Sequence, residues 1–90
     1  MFLFTNTRTG GYRYQLTYIF FGQRKDYFFK ELDDAALCFY GKIAEVRSRY
    51  NRNNEFLMSL FGPDGNIVMN YHRDANEDKC TDLRSTTITK

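Results

Sequence analysis

What the chain lacks narrows its chemistry before anything else. It has no tryptophan, one histidine and only two cysteines. Cys38 and Cys80 lie far apart in unlike surroundings, too few for the disulfide framework of a short secreted domain. Cys38, His72 and Cys80 fit no standard zinc spacing, so no metal site is expected. Gly10-Gly11 is followed neither by the Gly-Lys-Ser/Thr of a phosphate loop nor by a helix start. The carboxylates sit at a helix start and in a polar C-terminal stretch; Asp74 and Cys80 lie near His72 in sequence, but no constellation supports acid–base chemistry, so catalysis and cofactors are not expected. No apolar run approaches the roughly 20 residues of a membrane span. The opening Met-Phe-Leu-Phe is shorter than the roughly 7–15 apolar residues of a signal-peptide core. These absences predict a cytoplasmic protein with free thiols and no membrane contact.

What is present is aromatic. Nine Phe and seven Tyr stand among 90 residues. Large rings bury much area per residue, which lets one short domain reach a stable core. The formal charge is only +2 but unevenly spread. Five basic residues (Arg8, Arg13, Arg24, Lys25, Lys30) face Asp26 alone in the first third. Lys42, Arg47, Arg49 and Arg52 face Glu45 in the middle. From Asp74 to Asp82, four acids oppose Lys79. The pattern predicts a basic body and an acidic tail.

Residues 2–5 read as a short first strand, followed by turn chemistry through Gly10-Gly11. From Tyr12 to Phe20 the alternation is strict. Tyr12, Tyr14, Leu16, Tyr18 and Phe20 share one side, and Arg13, Gln15, Thr17 and Ile19 the other, which predicts a strand with one buried face. Gly22-Gln23 supplies a turn, and residues 24–30 return with Tyr27 and Phe29 on the buried side. Arg24, Asp26, Phe28 and Lys30 then fall on the opposite side. A helix follows, with Asp33 as its N-cap and Asp34 in the positive field of the first turn. Ala36, Phe39, Ile43, Val46 and Tyr50 recur at spacings of three and four and should lie on the aromatic face of the hairpin. Gly41 interrupts this run at a cost of about 1 kcal/mol, which a close approach to the sheet or to a neighbouring ring would explain. Asn51 to Asn54 ends the helix. Glu55–Phe61 and Ile67–His72 form a second hairpin around Pro63-Asp64-Gly65, where proline fixes one φ and glycine supplies a positive one. Residues 1–72 thus make one domain and 73–90 a polar C-terminal tail, in which Thr86–Thr89 alone has strand propensity. The expected fold is α+β: an antiparallel sheet of four or five strands with one helix packed on one face, in the order β-β-β-α-β-β.

The candidate contact residues are Arg13, Gln15, Thr17, Arg24, Phe28 and Lys30, on the side of the hairpin away from the helix. Long donors on a rigid ribbon reach phosphates and base edges, and an exposed ring stacks on a base or fills a partner's pocket. The run Gly22-Gln23-Arg24-Lys25, Tyr27-Phe28-Phe29, Asp33-Asp34-Ala35-Ala36 and Phe39-Tyr40 resembles the APETALA-type DNA-binding domain and its relatives in phage integrases and homing endonucleases. The resemblance spans Tyr12 to Asn51. It implies three antiparallel strands and a packed helix, with Arg13, Gln15, Thr17 and Arg24 on a DNA-facing sheet. The leading expectation is a small non-catalytic binding module of the kind phages and mobile elements encode, engaging nucleic acid through a basic sheet face. The competing expectation is a protein-binding inhibitor or adaptor, comparable to phage anti-defence and anti-CRISPR proteins and acting on a nucleic-acid-processing protein through aromatic and Arg anchors. The surplus of Phe56, Leu57, Met58, Leu60 and Phe61 in the second hairpin allows a homodimer there, were that hairpin to form the sheet edge.

Overall fold

The computed structural model describes residues 12–83. It is α+β: one helix on a five-stranded antiparallel sheet. The elements are β1 (Tyr14–Phe20), β2 (Gln23–Phe29), α1 (Leu32–Arg49), β3 (Phe56–Phe61), β4 (Ile67–Arg73) and β5 (Asp78–Asp82). Across the sheet the order is β2-β1-β3-β4-β5. Among the described residues, two strands precede the helix and three follow it, where three and two are expected. The proposed strand at residues 2–5 and the strand-prone Thr86–Thr89 lie outside the described residues.

Alternation in β1 decides which side of the sheet is buried. Leu16 is fully enclosed, with Tyr14, Tyr18 and Phe20 packed around the same core. Directly opposed residues share a face in an antiparallel pair. Tyr27 and Phe29 stand opposite Leu16 and Tyr14 and therefore turn toward the helix as well. Phe56, Met58 and Leu60 of β3 and Met69 and Tyr71 of β4 continue this layer. The helix closes it with Ala35, Ala36, Phe39, Ile43 and Val46. Phe20, Tyr50 and Phe56 meet edge to face, with ring centroids 4.8 and 5.2 Å apart, the arrangement that aromatic quadrupoles favour.

Several local expectations need correction. Tyr12 does not join the buried side: it precedes β1, is exposed, and its ring lies 6.4 Å from that of Phe28 on the opposite face. The β1–β2 turn is made by Phe21 and Gly22, both at positive φ (54° and 73°), one residue earlier than expected. Two positive-φ residues suit the right-handed twist of a tight hairpin. The helix begins at Leu32 with Glu31 in the N-cap position and no side-chain cap, so Asp33 lies in the first turn with Asp34. Gly41 approaches nothing: a Cβ built there meets no atom within 4 Å. The second hairpin is not at an edge, because β3 occupies the centre of the sheet.

The largest correction concerns the tail. Residues 78–82 pair with β4, from Arg73↔Asp78 to Met69↔Asp82, so the domain does not stop at residue 72. Charge holds this strand. Asp78 binds Arg47 of the helix at 2.7 and 3.1 Å and Arg73 of β4 at 3.2 Å. Arg73 is buried and also donates to the backbone oxygens of Tyr50 and Asn51. Tyr40 of the helix donates to Asp82 at 2.8 Å, and burial together with that carboxylate pushes its pKa up to about 12.

Two outcomes follow. Gly41→Ala should raise stability by about 0.5–1 kcal/mol, since helix entropy improves and nothing clashes; thermal unfolding measures it, and a loss would show a hidden contact. Asp78→Asn should cost about 1.5–3 kcal/mol, the worth of hydrogen bonds to charged groups. The Arg47 hydrogen bond, assisted by Tyr71 and Arg73, holds the Asp78 pKa below its ordinary 3.8 despite burial. Its contribution is therefore complete above that value and lost as pH falls through the lower folded-state value. Acid unfolding of the Asn variant should be correspondingly less steep over that window.

Candidate binding face

The helix covers one side of the sheet. On the other, opposed residues line up in rows that run from β2 to β5. One row is Arg24, Ile19, Leu57, His72 and Lys79. The next is Asp26, Thr17, Ser59, Asn70 and Thr81. A shorter third row sets Phe28 and Phe61 on either side of Gln15. All six candidate contact residues belong to the β1–β2 end of this face, but their states differ.

Gln15 is not available as a reader. Only 5% of it is exposed, its amide nitrogen donates to Thr17 and Asp26 at 3.1 Å each, and its carbonyl oxygen is buried without a partner. Thr17 is spent in the same way, donating to Asp26 at 2.7 Å. Arg24 is exposed but its Nε reaches the same Asp26 oxygen at 3.2 Å. Burial alone would raise the Asp26 pKa; the donors Thr17, Gln15 and Arg24 outweigh it and hold the carboxyl below its usual range. Three polar side chains on β1 and β2 thus converge on one acid. The sequence named all three as contacts and missed that Asp26 gathers them. Parity placed them on one face, but only the register Thr17↔Asp26 shows them touching.

Phe28, Lys30 and Arg13 are freer. Lys30 Nζ lies 5.8 Å from the centre of the Tyr12 ring, within cation–π range, and Tyr12 leans on Phe28. Arg13 is exposed at the same end, with its backbone N–H bonded to the carbonyl of Phe29. The row nearest the β1–β2 turn holds an apolar pair. Ile19 and Leu57 sit opposite each other on β1 and β3, 42% and 39% exposed.

The β4 end has another character. His72 Nδ1 lies 2.6 Å from Glu77 Oε2, and its Nε2 is 2.9 Å from Glu55 Oε2 and 3.5 Å from Asp74 Oδ2. Glu77 first, then Glu55, raise the His72 pKa. Cys80 opposes Tyr71 and so belongs to the helix side, away from His72. Both cysteines are free, and burial raises the pKa of each. Among the described residues, no helix is long and apolar enough to cross a membrane.

Comparison with protein-family models, with curated proteins and with solved structures returned no match.

Proposed function

We propose that this chain is a non-catalytic binding module that grips a protein partner with the open face of its sheet, as an inhibitor or adaptor does. The supporting observation is the Ile19–Leu57 pair, exposed side by side on the open face between Arg24 on one flank and His72 and Lys79 on the other. An apolar pair flanked by polar and charged residues is the anatomy of a protein interface. A surface built for phosphate would invert it, placing its cations at the centre and leaving them uncompensated. Here Arg24 is matched by Asp26, and the two expected readers Gln15 and Thr17 are occupied.

One observation favours a second reading. Arg13 and Lys30 share the end of the face that carries the Tyr12 and Phe28 rings, a pairing of cations and stacking surfaces that suits single-stranded nucleic acid. Capture of partners from a bacterial lysate, with and without nuclease, separates the two. On the protein reading the captured complex survives nuclease, and Leu57→Asp weakens it about 30-fold or more, the 2 kcal/mol of a hot spot. On the nucleic-acid reading capture is lost to nuclease. Arg13→Ala with Lys30→Ala then flattens the slope of log affinity against log salt by roughly 1.4 on single strands. Wild-type affinity retained by Leu57→Asp in a nuclease-resistant complex sinks the first reading.

A further inference from the structure

We propose that Glu55, His72 and Asp74 form a divalent metal site, at the β4 end of the open face, that takes a borderline transition-metal ion such as zinc. The ligand atoms come from three places in the fold: the residue before β3, the strand β4, and the turn between β4 and β5. One atom from each lies within 4.8 Å of the others. Zinc holds imidazole nitrogen and carboxylate oxygen at about 2.0–2.2 Å, which sets neighbouring ligand atoms roughly 3–3.5 Å apart. The Nε2–Glu55 and Nε2–Asp74 separations are 2.9 and 3.5 Å. An ion therefore needs little movement beyond a shift of Glu55, whose side chain is 60% exposed.

Two features prepare the ligands. Glu77 engages the other ring nitrogen of His72 at 2.6 Å, the carboxylate–histidine arrangement that orients an imidazole toward a metal. Asp74 Oδ1 accepts the backbone N–H groups of Asn76 and Glu77 at 2.8 and 2.9 Å, which leaves Oδ2 turned to His72. Two carboxylates and a neutral imidazole balance the charge of a divalent ion, and the exposed side leaves room for water as further ligand. The nitrogen–oxygen set suits zinc and its neighbours rather than calcium or magnesium, which favour oxygen alone. Neither cysteine takes part.

Isothermal titration of the purified protein with zinc chloride, alongside thermal unfolding, tests this. The expected result is one ion per chain and a rise in the unfolding temperature, with calcium giving neither. Glu55→Gln and His72→Gln should each abolish both effects while circular dichroism shows the fold unchanged. Glu77→Gln, which alters only the orienting carboxylate, should weaken binding about 10–100-fold. Cys38→Ser with Cys80→Ser should bind as the wild type does. Absence of saturable zinc binding overturns the proposal, as does binding that survives the Glu55 and His72 changes or disappears with the two cysteines.

Discussion

The fold turns on one carboxylate. Asp78 accepts hydrogen bonds from Arg47 on the helix and Arg73 on β4, and it is itself the first residue of β5. Arg73 in turn reaches past it to the carbonyls of Tyr50 and Asn51, where the helix ends. A buried guanidinium is costly without a charge partner, whereas two partly satisfied helix-end carbonyls are a natural place to spend its remaining donors. The acid, the two arginines and the helix terminus are therefore mutually dependent. Together they fix the angle at which the chain leaves the helix and seat the last described strand.

With that junction made, helix and strands hold one side of the sheet closed and leave the other open. The two sides solve different problems. The covered side is a continuous apolar layer from Leu16 to Tyr71, closed by Phe39, Ile43 and Val46. The open side carries a polar row in which Asp26 pairs with Thr17 and Ser59 with Asn70. Such pairing lowers what these residues can offer a ligand, because any new contact must first replace a bond already made. The groups left with unspent interaction energy are the apolar pair Ile19 and Leu57 and the rings and cations at the Arg13–Lys30 end.

The elements with hydrophobic periodicity were legible in the sequence, and those held by charge were not. Period 2 over Tyr14–Phe20 and period 3.6 over Ala36–Val46 gave the first hairpin, the helix and the buried faces, because one-sided burial writes itself into residue order. The Pro63-Asp64-Gly65 turn was equally plain, and Gly65 does take the positive φ. Asp78–Asp82 carries no such signal. One side of it faces arginines and tyrosines rather than aliphatic side chains, so a strand presents itself as an acidic tail. Tyr12 failed for a related reason: parity holds only inside a strand, and the strand begins two residues later. Gly41 has open space where a packing role is expected from its place in the helix.

The open face was also legible as a face, but not as a distribution of available groups. Residue type marked Arg13, Gln15, Thr17, Arg24, Phe28 and Lys30 as alike. Register separates them, because Thr17, Gln15 and Arg24 converge on Asp26, whereas Arg13, Phe28 and Lys30 do not. The same is true of His72, which looked solitary in a sequence with one histidine and gains Glu55 only when β3 and β4 pair. His72 stands in the row of Ile19 and Leu57, directly opposite Leu57. On the proposed protein-binding reading, a partner that covers the apolar pair lies against the imidazole and its carboxylates on one flank and against Arg24 on the other. Opposite charge on the two flanks gives the face a direction: an oriented partner with complementary ends fits one way round, and the reversed pose sets like charges together.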